Sequence, residues 1–290
     1  MRIGTIAGRS VIISGDRAID VGTVSGGRFG PEPFRVFDDW SEFIGWVTDL
    51  DLDRAPSVRF VEQQLEAPSP EPRQVFAIGL NYSEHAAEAG VSPPEGLEVP
   101  PTFTKFRSSL TGPFTTLTLP SLSVDWEVEL VAVIGAPADR VSAEDAWSHV
   151  AGLTVGQDFS ERDIQRLGPV PQFSMAKSFP GFGPTGPWLV TPDEFPDPTD
   201  LELECLINGE IVQKTRTTAM IVPVAGLIAR LSAVCPLFPG DVIFTGTPHG
   251  VGAARTPERY LKAGDEIVSR AGGIGELRQV CVGPDDVANN

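Results

Sequence analysis

Cysteine is scarce in this chain: Cys205, Cys235 and Cys281 are the only three in 290 residues, far apart and without a CxxC pair. That excludes a disulfide scaffold and points to buried or half-buried free thiols in a reducing compartment, with a cytoplasmic location expected. Positive charge is in deficit as well, 22 Lys and Arg against 39 Asp and Glu, a formal charge of −17. Nucleic acid and anionic membrane surfaces both select basic proteins, so neither is expected as a partner. An anionic substrate would then need local positive charge, from a metal or a few placed Lys and Arg. No segment approaches the roughly 20 apolar residues that span a bilayer. The opening MRIGTIAGRSVIISGDRAID has no long apolar run and no cleavage-site pattern, so no signal peptide is read there. No G-x-S-x-G nucleophile elbow occurs. The stretch Thr245–Gly252, TGTPHGVG, fits neither nucleotide-binding glycine motif.

Glycine (30) and proline (27), by contrast, are plentiful and spread along the chain, as many turns between short strands require. With 41% hydrophobic and 21% charged residues, the composition is that of a soluble globular protein. Arg2–Ile6, Ser10–Ser14 and Arg17–Val24 read as short strands, and Asp38–Leu50 as an amphipathic helix. Ala67–Arg73, APSPEPR, is a proline-rich joint that divides a small α+β unit (1–72) from a larger one (73–290). In the larger unit Val75–Leu80 reads as a buried strand, Ser83–Ala89 as a helix, and Gly90–Pro101, with four prolines, as a loop of the kind that serves as a lid. Leu201–Gln213 reads as a hairpin around Asn208-Gly209, and Thr218–Val234 as the longest helix. Two turn-then-strand units follow, at Val242–Thr245 and Glu266–Ser269, and Gly283–Asn290 reads as a frayed tail. No βαβ rhythm recurs, so the fold class is mainly β (α+β).

The chemistry centres on Ser123–Val133, SVDWEVELVAV. Side chains of a strand alternate faces, so Asp125, Glu127 and Glu129 share one side of an otherwise apolar run. Unpaired buried charge is costly and adjacent carboxylates resist joint ionisation. A divalent cation with a preference for oxygen ligands resolves both. Alternation alone leaves open a solvated edge strand, against which the continuous apolar run Leu130–Gly135 argues. His85 and Glu88, three apart in a helical stretch, form either a base with its orienting carboxylate or an ordinary surface pair. His149 lies in an acid-flanked stretch and reads as structural. In QDFSERDIQ, Asp158 can complete an oxygen-ligand set, and Arg162 and Gln165 can aim donors at an anion. The same segment also reads as a helix start with Ser160 as N-cap. Lys177, in an aromatic Gly/Pro-rich stretch, is either a snorkelling surface residue or an oxyanion-binding cation. Thr247 and nearby backbone N–H groups can meet a substrate oxygen.

Eight motifs in order, GLNYSEHAAE, VDWEVELVAVIG, QDFSERDIQ, AKSF, GPTGPWLV, the NGE hairpin, PGDVIFTGTPHGVG, and LKAGDEI with GGIG, together resemble the fumarylacetoacetate hydrolase family over Arg73–Val282. The resemblance implies a mixed β-sandwich roll as catalytic domain, a small variable domain ahead of it, a homodimer, and a divalent metal, Mg²⁺ with Mn²⁺ or Ca²⁺ as alternatives. By motif, Glu127, Glu129 and Asp158 match the metal carboxylates, and His85 and Glu88 the water-activating dyad. Arg162, Gln165 and Lys177 match the oxyanion- and carboxylate-binding groups, Thr247 the threonine of the TGT substrate loop, and Tyr82 a substrate-lining tyrosine of some members. QDFSERD stands where NDVSARD is commoner, with Asp158 kept, and KSFPGFGPTGP places Pro180 and Gly181 at the pocket wall, where substrate identity is set.

The implied substrate is a small 2-oxo acid with a second carbonyl, an acylpyruvate. Glu88 orients His85, His85 takes a proton from water, hydroxide attacks the distal carbonyl, and C–C cleavage leaves pyruvate enolate. Oxaloacetate decarboxylation and isomerisation of a 2-hydroxymuconate-type diacid use the same site and remain alternatives. A non-catalytic metal-binding member is a further one.

Overall fold

The computed structural model describes residues 1–91 and 101–284. The loop expected at Gly90–Pro101 and the expected tail lie largely outside them. Among the described residues no helix is long and apolar enough to cross a membrane. Two mixed sheets hold most of the strands, as the sandwich expectation requires. The larger runs in the order Val58–Arg59, Arg17–Asp20, Arg9–Ser14, Arg2–Ile6, Gly183–Val190, Val150–Gln157, Val128–Ile134, Val242–Phe244, Val75–Ile78, Thr102–Thr104. The smaller runs Glu210–Arg216, Glu202–Ile207, Glu266–Ala271, Gly275–Val282, Phe114–Thr118. The first three strands of the chain add onto the larger sheet, Arg2 opposite Val190 and Ile3 opposite Leu189.

The central strand Val128–Ile134 is buried at every position, and its alternation decides which core each side chain joins. Val128, Leu130, Ala132 and Ile134 pack with Leu203, Cys205, Ile207 and Leu277 of the smaller sheet. Val131 and Val133 pack on the other side with Ile3, Phe37, Phe43 and Val47 from the first part of the chain. Burying one such aliphatic side chain contributes about 1.5–3 kcal/mol, so a strand clamped on both faces is a rigid base for a site. The hairpin turn is as expected: Asn208 at φ 51° and Gly209 at φ 82° supply the two positive φ values of a type I′ turn.

Several elements begin or end elsewhere than periodicity suggests. The third strand stops at Asp20, whose carboxylate accepts the Thr23 N–H at 2.7 Å and starts a helical turn, Val21–Val24. The first longer helix is Trp40–Thr48, capped by Asp39 on the Glu42 N–H at 3.0 Å. Val224–Val234 is the helix expected from Thr218: Pro223 takes its N-cap, and Thr217–Ala219 forms a separate 3₁₀ turn. Ser160 is not an N-cap. It pairs in a short strand with Asp125, and Glu161 caps Arg162–Gln165 through the Ile164 N–H at 2.6 Å. Ser123–Val133 is likewise not one strand but two, Val124–Asp125 and Val128–Ile134, interrupted at Trp126 and Glu127.

Candidate metal centre and its base

Antiparallel pairing brings the acids together. Val128 lies opposite Gln157 and Glu129 opposite Gly156, so Asp158, just beyond one strand, falls beside Glu127, just before the other. The Asp158 N–H donates to the Glu127 carbonyl at 2.9 Å and closes that end of the ladder. Glu127, Glu129 and Asp158 are all buried, each with a carboxylate oxygen within 4.8 Å of the others.

Three buried cations surround them. Lys177, at the end of the turn Phe173–Ala176, donates to Glu127 Oε2 and Asp158 Oδ2, both at 2.7 Å. Arg162 bonds Asp125 Oδ2 through Nε at 2.9 Å and Glu127 Oε1 through Nη2 at 2.7 Å. Its Nη1 donates to Gln165 Oε1 at 2.7 Å. Lys105, 1% exposed, donates to Asp158 Oδ1 at 2.5 Å and also to the Lys177 carbonyl. Neither lysine is a snorkelling surface residue. Lys105 gave no sign of itself in the sequence, where a lysine in FTKF resembles any strand-edge residue.

Four carboxylates (Asp125, Glu127, Glu129, Asp158) against three cations give the buried cluster a formal charge of −1. Burial pushes the Glu127 carboxyl up, but Lys177 and Arg162 outweigh it and hold it down at about 2. Glu129 goes the other way. Burial and the charges of Asp158 and Glu127 push it well up, offset only in part by Lys177 and by the Gly246 N–H, which donates to Oε2 at 2.7 Å. Glu129 is thus the acid short of positive charge. Beside it the Tyr82 hydroxyl is buried with no hydrogen-bond partner among the described residues. Three hard oxygen donors, a deficit of charge and an unpartnered hydroxyl fit a divalent cation of the magnesium type.

The expected base, His85, stands on the helix Ser83–Glu88. His85 Nδ1 and Glu88 Oε1 are 2.7 Å apart, and Glu88 Oε2 accepts the Gly250 N–H at 2.9 Å. A second pair, His249 Nδ1 to Glu84 Oε2 at 2.6 Å, ties the same helix to the same loop. Gly250 must be glycine: at φ 103° a Cβ would stand 2.3 Å from the Val212 carbonyl oxygen. Thr247, also in this loop, is buried, and its hydroxyl donates to the Val128 carbonyl at 3.0 Å. His149 lies away from the cluster in a 3₁₀ turn, Ala146–His149. Sequence reasoning missed, besides Lys105, two buried amides: Gln157, which accepts the Glu127 N–H at 2.8 Å, and Gln213, which accepts the Val128 N–H at 3.0 Å.

The family model for the fumarylacetoacetate (FAA) hydrolase C-terminal domain matches residues 74–282. The oxaloacetate tautomerase FAHD2A, mitochondrial, of Homo sapiens is 45% identical over 203 residues, 69% of this chain and 64% of that protein; this chain thus spans under two thirds of that relative's length. A crystal structure of a Mycobacterium smegmatis protein provisionally designated HpcE superposes over 98% of this chain and 100% of its own, at 52% identity and a TM-score of 0.93. The maleylpyruvate hydrolase of Sphingobium sp. SYK-6, solved with manganese(II) and pyruvate, superposes over 98% of this chain and 99% of its own, at 28% identity and a TM-score of 0.78. With the motif order, the sandwich and the acidic triad agreeing, the chain belongs to the fumarylacetoacetate hydrolase family.

Proposed function

We propose that this chain is a divalent-metal enzyme that removes a proton from, and returns it to, the enolisable carbon of a 2-oxo acid. The observation that carries this reading is that the His85–Glu88 pair lies within electrostatic reach of Glu127, in a buried triad of Glu127, Glu129 and Asp158 with carboxylate oxygens within 4.8 Å of one another. Glu127, Glu129 and Asp158 would hold a divalent ion, Mg²⁺ first with Mn²⁺ or Ca²⁺ as alternatives, which would supply Lewis acidity toward the 2-oxo group and so favour loss of a neighbouring C–H proton.

The chain's own groups do the rest. Donation of the Nδ1 proton to Glu88 leaves His85 Nε2 as the base and stabilises the imidazolium once it has taken a proton. The Gly250 N–H on Glu88 fixes the direction of that pair. Lys177 and Arg162 set positive charge beside the carboxylates, against which a substrate carboxylate or developing oxyanion is stabilised. Arg162 turns the Gln165 amide so that its N–H₂ is the end offered.

Keto–enol conversion of an oxaloacetate-type acid is the reading preferred here. It needs only the base and the polarised oxo group, and relatives 45% identical carry that activity in their names. Hydrolytic C–C cleavage of an acylpyruvate is the second reading, favoured by the likeness to maleylpyruvate hydrolase; there His85 would deprotonate water instead. One assay separates them. Acetylpyruvate, fumarylpyruvate, enol-oxaloacetate and a hydroxymuconate are followed by ultraviolet absorbance with Mg²⁺ and with EDTA, while pyruvate is counted. Absorbance decay without new pyruvate marks tautomerisation, and one pyruvate per diketone consumed marks hydrolysis. Either activity should vanish in EDTA, and His85→Ala should lower kcat by about 10²–10⁴-fold with metal binding retained. Turnover unaffected by EDTA would remove the metal from the reading. A homodimer, a division at residues 72/73 and a cytoplasmic location complete the proposal; light scattering checks the dimer.

A further inference from the structure

Three segments distant in sequence meet at one buried amide. Gln213, on the hairpin strand Glu210–Arg216, is 2% exposed. Its Oε1 accepts the Val128 N–H, and its Nε2 donates to Thr247 Oγ1 and to the Pro248 carbonyl, both at 2.9 Å. Both donors of the amide are therefore committed. Thr247 Oγ1, having accepted from Gln213, gives its own proton to the Val128 carbonyl. Val128 is the residue between Glu127 and Glu129, so Gln213 and Thr247 together grip its N–H and C=O.

Regular alternation would not place Gln213 there, because its neighbour Val212 is buried too. The hairpin register shifts at this point: Leu206 lies opposite Ile211 but Cys205 opposite Gln213, which leaves Val212 as the extra residue of a bulge. Bulges re-aim a side chain, and this one is braced. The Val212 carbonyl accepts from Arg255 Nη2 at 2.9 Å, and the same arginine holds the Gly250 carbonyl at 3.2 Å.

We infer that Gln213 is a positioning residue for metal and substrate binding. It fixes the spacing of Glu127 and Glu129, and it makes the Thr247 hydroxyl a strut of the substrate loop instead of a donor to the substrate. The inference rests on the metal reading above.

The test titrates Mn²⁺ into the metal-free full chain by calorimetry, for the wild type, Gln213→Leu, Gln213→Glu and Gln279→Leu, alongside thermal unfolding in EDTA and separate kcat and KM values. Gln279 is the control: an equally buried amide of the same sheet, three strands in from the edge strand that carries Gln213, bonded to the Pro113 carbonyl at 2.8 Å. Gln213→Leu should weaken Mn²⁺ binding by about ten- to a hundred-fold, whereas Gln279→Leu should lower the unfolding temperature and leave Mn²⁺ affinity within about two-fold of wild type. Gln213→Glu keeps the acceptor for Val128 and should fall between. Mn²⁺ affinity in Gln213→Leu equal to that in Gln279→Leu overturns the inference. Should Gln213→Leu fail to fold, wild-type affinity in Gln213→Glu overturns it instead. A wild-type chain that binds no Mn²⁺ overturns the metal reading and this inference with it, while wild-type binding indifferent to Gln213 overturns this one alone.

Discussion

Replacing Lys105 by methionine tests whether its ammonium serves the centre as a counter-charge. Methionine keeps most of the stem and removes the ammonium, which has two acceptors, Asp158 Oδ1 at 2.5 Å and the Lys177 carbonyl. Breaking a buried ion pair from one side costs about 3–5 kcal/mol, because the remaining charge stays buried without its partner. Lys105 is itself held at a disadvantage: burial pushes its pKa down, and the Lys177 charge adds to that, against the pull of Asp158. Its removal relieves that disadvantage, so the lower end, about 3 kcal/mol, is the expectation. In a domain of this size each kcal/mol moves the unfolding temperature by about 2–4 °C, so Lys105→Met should unfold about 6–12 °C below wild type in EDTA. The loss also takes the cluster from one net negative charge to two. A divalent ion then restores more, so the rise in unfolding temperature on adding Mg²⁺ should be larger in the variant than in wild type. Differential scanning calorimetry with and without Mg²⁺ reads both quantities. An EDTA midpoint within about 2 °C of wild type would refute the counter-charge role, and a smaller Mg²⁺ response in the variant would refute the cluster bookkeeping.

Burial pushes the thiols of Cys205 and Cys281 up to about 12, so iodoacetamide at pH 8 should label at most the partly exposed Cys235 in the native chain and all three in denaturant, as counted by mass spectrometry. In the first part of the chain, bonds from Arg9 hold the Asp20 carboxyl down at about 2. A depressed carboxylate stabilises the fold above its unfolded pKa of about 3.9, and that contribution is lost as pH falls toward 2. Asp20→Asn, which keeps the cap on Thr23, should therefore unfold slightly below wild type at pH 6, by no more than about 1 kcal/mol for so exposed a pair, with the gap closing as pH falls from 4 to 2. A gap that widened on acidification would refute the assignment.

The parts of the fold legible in the sequence are those written in neighbouring residues. Asn208-Gly209 between alternating runs specified its hairpin because a type I′ turn needs two positive φ values and few residue pairs supply them. The fully apolar Leu130–Ile134 announced a strand covered on both faces, and both covers are present. The joining of Arg2–Ile6 to Gly183–Val190 left no local trace, since each strand reads the same whichever edge it meets, and the partners Arg2 and Val190 are far apart in sequence. Helix boundaries slipped where capping competed with periodicity. Pro223 fits a helix's first turn as well as its cap, and the structure chose the cap, leaving Thr217–Ala219 as a separate turn.

The same division runs through the site. The grouping of Glu127 and Glu129 was legible because acids in an apolar run are conspicuous, and Asp158 because it stands among polar residues just after an apolar strand; His85 and Glu88 stood out as an i,i+3 pair on a helix. The groups that hold them were not. Lys105 becomes a buried counter-ion only because the fold carries it to Asp158, 53 positions away in sequence, and no residue beside it in FTKF hints at that partner. Gln157 and Gln213 carry no charge to attract notice, and Gln213 faces inward only through a bulge that alternation cannot anticipate. Ligands are chosen for what they are, and so their residue type reveals them. The residues that position ligands are chosen for where they are, which a single sequence does not record. A chain that kept Glu127, Glu129, Asp158 and His85 but lost Lys105 or Gln213 would still match the motifs, while Asp158 would lose a buried counter-charge or the Val128 N–H its acceptor.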